Sequence, residues 1–254
     1  MLRKLFTILF ILAALVTQAE TLKEYKELKA CIKNSNVGRG REIINKCISD
    51  TLFNTDPQFY AFAVAIEKKA NDAENMKLYL KQKYDTAAFF NSIYKMFEYS
   101  KKQDELYEKQ GEKVFKKFRT QSASILKPYY PNLYNGGVYF VKKKDWKNAC
   151  NLFTMYIAIN QLNILDEKSP QTQAKLPRAA FWCMTSCFEN KDYEGVFKYP
   201  VLAEADTANI NYVLQYEVLS YEQLKDTANY VARLKDGLRI TSDEFFFSRL
   251  TDYY

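Results

Sequence analysis

Five cysteines and no histidine frame the chemistry open to this chain of 254 residues. Without imidazole, histidine-dependent catalytic triads and zinc sites with histidine ligands are excluded. The cysteines Cys31, Cys47, Cys150, Cys183 and Cys187 contain no C-x2-C pair, and Cys183 and Cys187 fall on apolar-periodic positions, where thiols pack as small hydrophobes. Cys31 and Cys47 are equidistant from residue 39, inside the turn expected between the first two helices. Facing positions on such a hairpin bring two Cα atoms within disulfide range, so a Cys31–Cys47 bond is an expectation for an oxidising compartment. Cys150 has no evident mate. The carboxylate pairs Asp104-Glu105 and Asp243-Glu244 are adjacent in sequence, and adjacent helical residues do not face one another. There is no Gly-x-Ser-x-Gly elbow and no glycine-rich phosphate loop. The chain therefore reads as a non-enzyme, with no catalytic residue, cofactor or metal expected.

The elements that position these residues announce themselves through three Lys-Asp pairs: Lys144-Asp145, Lys191-Asp192 and Lys225-Asp226. Each Asp stands four residues before an apolar position, Ala149, Val196 or Tyr230, where a helix N-cap belongs. A capping carboxylate accepts from free amides of the first turn, opposes the helix dipole and contributes about 1 kcal/mol. The second and third pairs are 34 residues apart and the first two 47, which is 34 plus an insertion of 13. A period of about 34 residues is that of a repeated helix pair.

The clearest unit carries Leu133, Gly136-Gly137, Phe140, Trp146, Ala149 and Phe153. It resembles the tetratricopeptide repeat family, whose consensus is Trp-x2-Leu-Gly-x2-Tyr, then Ala-x3-Phe, then Pro. Leu133 replaces the usual Trp, and Gln161 stands where Pro is usual. The next unit places Ala180, Cys183, Met184 and Cys187 on its first helix and Tyr193, Val196 and Pro200 around its second. Pro200 lacks a backbone donor, so that helix should kink or stop early. The third unit reads Leu214, Val218 and Tyr221, then Tyr230, Leu234 and Gly237. Tyr79–Thr86, Pro131–Gly137 and Phe245–Leu250 are similar to segments of exported members of that family whose function is unassigned. The likeness runs from about Leu22 to the end.

The resemblance implies an all-α solenoid of antiparallel pairs whose first helices line a concave groove. Gly137 and Ala149 would be close contacts between helices, with Phe140, Trp146 and Phe153 as filler. The groove of such a build receives a polypeptide partner, so the expected function is that of an interaction scaffold. With 20 tyrosines and 18 phenylalanines, glycan binding through aromatic faces is the alternative.

Residues 20–124 read as degenerate helical repeats and 125–254 as the regular ones. In the former, Tyr25 and Leu28 line one stretch, and Ile43, Ile44 and Ile48 a second. Pro57 opens a third with Phe59, Phe62 and Ile66; Asp72 is expected to cap a fourth with Met76 and Leu80, and Asp85 a fifth with Phe89, Ile93 and Phe97. Lys109, Lys113, Lys116, Lys117 and Arg119 form a basic helix face, read as solvated. The segment Gln161–Pro177 is expected to be an inserted loop. Asp243 should cap a last helix bearing Phe245, Phe246, Phe247 and Leu250, whose apolar edge suits self-association.

At the start, Met1-Leu2-Arg3-Lys4 precedes an apolar run from Leu5 to Val16 and then Thr17-Gln18-Ala19. Twelve apolar residues are too few to span a bilayer, which takes about 20. The pattern matches a secretory signal peptide over residues 1–19, so a periplasmic or otherwise exported, soluble protein is expected. Loss of Arg3 and Lys4 would lower the net charge from +7 to +5, a mild excess that does not suggest nucleic acid.

Overall fold

The computed structural model describes residues 23–165 and 169–254; the signal-peptide assignment and Asp166–Lys168 fall outside the described residues. Regular structure among those described is entirely helical. The chain divides into two compact units, one ending at Leu126 and the other beginning at Lys127.

The first unit contains α1 (residues 23–33), α2 (Val37–Cys47), α3 (Thr51–Asn54), α4 (Pro57–Tyr79), α5 (Thr86–Glu108) and α6 (Glu112–Leu126). Pro57 occupies the first turn of α4, where its missing N–H is not needed, and the Asp56 carboxylate accepts from the Gln58 N–H at 2.8 Å. Leu28, Ile43, Ile44, Phe53, Phe59 and Ile66 form the core. Cys31 and Cys47 both enter it. The bond expected between them is not made here: each is a free thiol, and burial pushes both thiols above their ordinary pKa. Asp72 caps no helix. It lies inside α4 and pairs with Lys68 at 2.8 Å, while Met76 and Leu80 are exposed. No Gly or Pro interrupts 58–79, and Asn71 ties α4 to α5 by donating to the Phe89 carbonyl at 2.9 Å, so the helix runs straight past the expected break.

The second unit holds α7 (Tyr130–Lys142), α8 (Trp146–Gln161), α9 (Pro170–Glu189), α10 (Pro200–Glu204), α11 (Ile210–Gln223), α12 (Thr227–Thr241) and α13 (Glu244–Tyr253), with short 3-10 turns between some of them. Helices adjacent in sequence pack on one another. All three Lys-Asp turns share one geometry. Lys144, Lys191 and Lys225 are left-handed, with φ of 56, 60 and 59°. The following Asp N–H donates 2.9 Å back to Phe140, Cys187 and Tyr221 respectively, and the Lys N–H donates to Val141, Phe188 and Glu222. These two bonds satisfy the last orphan carbonyls of the preceding helix. The Asp carboxylate then accepts from Asn148, Gly195 or Asn229 N–H, so one dipeptide ends one helix and starts the next turn. Ser35-Asn36 in the first unit does the same: Ser35 has φ 53°, Asn36 N–H donates to Cys31, and the Asn36 side chain accepts from Arg39 N–H.

After Asp192 the chain makes a 3-10 turn over Gly195–Lys198, and α10 restarts at Pro200 for five residues; the predicted break at this proline is present. Gln161–Pro177 is not a loop as a whole. Ser169 caps α9 by accepting from Thr172 N–H, Pro170 takes its first turn, and Pro177 lies within the helix. The excess over one repeat is therefore largely additional helix, started by a Ser-Pro pair suited to an N-terminus.

Candidate functional site

The α11–α12 turn and α13 enclose an open cavity of about 750 Å³, lined by Tyr221, Glu222, Lys225, Thr227, Tyr230, Ser248, Arg249, Asp252 and Tyr253. Its walls are set by local packing. Gly237 leaves room for Phe246, whose ring would stand 2.3 Å from a Cβ at that position, and Phe246 is fully buried. Asp243 fixes the start of α13 by accepting from Phe245 N–H at 2.8 Å and from the Asn211 side chain at 2.6 Å. With α13 seated this way, Arg249 reaches Glu222 at 2.9 Å and lies 4.8 Å over the Phe245 ring. Tyr230 and Tyr253 face each other at 6.5 Å between ring centres. The outer side of α13 stays open: Phe247 is 59% exposed and Tyr254 81%.

Tyr221 also lines a neighbouring cavity of about 360 Å³, with Phe197, Pro200 and Val201 on one side and Glu204, Glu217 and Arg233 on another. Its ring stacks on Phe197 at 4.3 Å. Arg233 pairs with both Glu217 and Glu204. Burial pushes the Glu217 carboxyl up to about 7, against the pull of Arg233. A third cavity, about 310 Å³, lies beside Tyr130, Tyr134 and Tyr156. There the Tyr130 hydroxyl donates to the Tyr156 carbonyl at 2.8 Å, and Lys175 sits 5.5 Å over the Tyr134 ring.

Of the repeat positions read from sequence, Leu133, Phe140, Ala149, Phe153, Val196 and Leu234 are buried. Gly137 is held under Phe153, whose Cζ would lie 2.6 Å from an added Cβ. Trp146, Tyr221 and Tyr230 are only half-buried, and the two tyrosines offer their remaining surface to the large cavity. The adjacent carboxylates part company: Asp104 pairs with Arg119 at 2.8 Å and Glu105 with Lys102 at 3.0 Å. Lys113, Lys116 and Lys117 are exposed on α6 while Phe118 is buried.

One constellation was invisible to sequence spacing. Cys150 on α8 meets Cys183 and Cys187 on α9, their sulfurs all within 4.8 Å of one another. Cys150 Sγ is 2.6 Å from Cys187 Sγ, and Thr154 Oγ1 is 3.2 Å from Cys183 Sγ. Cys183 and Cys187 are buried and Cys150 is half-buried. Bonds from Cys183 and Cys187 pull the Cys150 thiol below its ordinary pKa, and the bond to Cys150 pushes Cys183 up. The sequence signal for it was only the i, i+4 pair on α9; Cys150 lies 37 residues before Cys187.

The comparisons with known proteins decide nothing further. No family model and no curated protein matches this chain. No helix among the described residues is long and apolar enough to cross a membrane.

Proposed function

We propose that this protein is an exported, tetratricopeptide-like interaction scaffold that receives a polypeptide segment in a groove of its helical repeats. The observation that carries this reading is the open cavity beside α13. Its lining alternates aromatic faces (Tyr221, Tyr230, Tyr253) with charges of both signs (Lys225, Arg249, Glu222, Asp252). Such a surface suits an extended chain, whose side chains alternate and whose backbone both donates and accepts. The repeated cap geometry at the Lys-Asp turns and the close contacts at Gly137 and Gly237 support the repeat reading, and the basic, apolar and small-residue order of residues 1–19 supports export.

A photo-crosslinking residue placed at Tyr253 or Phe247, followed by mass spectrometry from intact cells, is expected to capture a small reproducible set of proteins. Tyr230→Ala should empty that set. Capture of nothing, or a set indifferent to Tyr230→Ala, would remove the reading. The three tyrosines around one cavity also favour the second reading, a glycan stacked on aromatic faces. In that case added oligosaccharides would raise the melting temperature and Tyr230→Ala would abolish the rise. Self-association through the exposed side of α13 is a separate element of the proposal, and light scattering of wild type against Phe247→Ser tests it.

A further inference from the structure

The thiol trio lies outside every cavity described above and the proposed groove makes no use of it. We propose that Cys150 and Cys187 form a redox pair that closes into a disulfide between α8 and α9, with Cys183 as the S–H donor that holds Cys150 ready to attack.

The geometry argues for a covalent pair over the alternatives. Unbonded heavy atoms rest about 3.5 Å or more apart, whereas the two sulfurs are at 2.6 Å, approaching the disulfide length of about 2.05 Å. A zinc thiolate set with bonds of about 2.3 Å would hold its sulfurs about 3.8 Å apart and would need a fourth ligand. The chain has no histidine to supply one, and no carboxylate belongs to the cluster. A disulfide is neutral and suits this burial.

The reaction balances as thiol–disulfide exchange. Cys150, the most exposed of the three, attacks one sulfur of an external disulfide as the thiolate; that S–S bond breaks and one thiolate departs, leaving a mixed disulfide at Cys150. Cys187 then gives its proton to the departed thiolate and attacks Cys150 Sγ, expelling the second external sulfur. Two electrons pass from the Cys150 thiolate and the Cys187 thiol to the external disulfide, which leaves as one thiol and one thiolate. Cys183 donates to the Cys150 sulfur throughout the first step, and Thr154 lies within 3.2 Å of Cys183. Closure joins two successive helices of the second unit and crosslinks residues 37 positions apart.

The test uses the full chain purified without reductant, unfolded in denaturant, alkylated and digested without reduction. The expected result is a crosslinked pair of peptides carrying Cys150 and Cys187, lost on reduction and absent in Cys150→Ser. Reduction should also lower the melting temperature by about 10 °C. After reduction, reoxidation by glutathione disulfide at pH 7 should be about tenfold slower in Cys183→Ala than in wild type. Complete alkylation of Cys150 and Cys187 in the unreduced chain would overturn the proposal, as would a stoichiometric metal ion released by a thiophilic chelator. Both readouts come from the wild-type chain and hold even where a variant fails to fold. An unchanged reoxidation rate in Cys183→Ala would remove the donor role.

Discussion

In the unit ending at Leu126, α4 and α5 are 23 residues each and are joined by polar side chains reaching across: Asn71 donates to the Phe89 carbonyl and to Ser92, and Gln103 to the Pro57 carbonyl. Ser100 and Ser122 likewise meet between α5 and α6 at 3.0 Å. The unit from Lys127 is built differently. Helices α7, α8, α11 and α12 run 13 to 16 residues. Two of its buried hydroxyls bond within α9, Thr185 to Phe181 and Ser186 to Trp182, while the Tyr130 hydroxyl crosses from α7 to the Tyr156 carbonyl of α8. Two of its closest helix contacts are made by shape, with Gly137 under Phe153 and Gly237 under Phe246. Long helices can slide along one another, and directional hydrogen bonds across the seam set their register. Short helices joined by stereotyped turns take their register from the turns, and a small residue opposite an aromatic suffices for the rest.

The largest expected effect lies in the charge cluster around Arg233. Arg233→Met leaves Glu217 buried without its partner and should cost about 3 kcal/mol or more at pH 8 by urea denaturation. Because the folded pKa of Glu217 stands near 7, above its unfolded value, its stabilising contribution is full below the unfolded value and is lost as pH rises through about 7. The penalty of Arg233→Met should therefore shrink at pH 5, and Glu217→Gln should flatten the wild-type stability profile over that window. A penalty independent of pH would show that Glu217 is ionised throughout.

Next in size, Asn71→Ala should cost about 2 kcal/mol, since it removes a buried amide that donates to both the Phe89 carbonyl and the Ser92 hydroxyl. Ser186→Ala, which removes an own-helix bond to Trp182, should cost well under about 1 kcal/mol. Equal losses would erase the contrast between the units. Glycines give the complementary comparison. Gly137→Ala drives a Cβ into the Phe153 ring and should destabilise by about 1–3 kcal/mol, whereas Gly38 has open space around it within α2 and Gly38→Ala should gain about 1 kcal/mol. Smaller still, Asp226→Ala and Asp85→Ala should each cost about 1 kcal/mol, one cap in each unit. Replacing the left-handed Lys225 or Lys81 by Gly should raise stability by about 0.5 kcal/mol, read as a rise in melting temperature.

Much of this was legible in the residues. The caps Asp85, Asp145, Asp226 and Asp243, the helix start at Pro57, the broken helix at Pro200 and the small contact residue Gly137 all follow from chemistry within a turn or two of chain. Two readings failed for a related reason. Asp72 has the residue type of a cap and Gln161–Pro177 the composition of a loop, because polar and proline-bearing stretches signal breaks when only local sequence is considered. The amide of Asn71 is satisfied across the seam, and Pro170 begins a helix rather than ending one. The left-handed lysines went unread because Gly is the usual residue at that position, and only backbone geometry shows Lys taking it.

Helical content, the starts of α4, α5, α8, α12 and α13, and the narrow contact at Gly137 were determined by sequence alone, because each depends on interactions among residues at most a few positions apart or on a side-chain volume. Tertiary structure alone decided which surfaces remain open and which distant groups meet. Tyr221 and Tyr230 repeat positions of the same pattern as buried Phe140 and Ala149, yet they end at a cavity. Cys150 reaches Cys187 because α8 lies on α9 at one register. A register along two packed helices is the sum of many side-chain fits spread over tens of residues, and no single spacing in the chain records it.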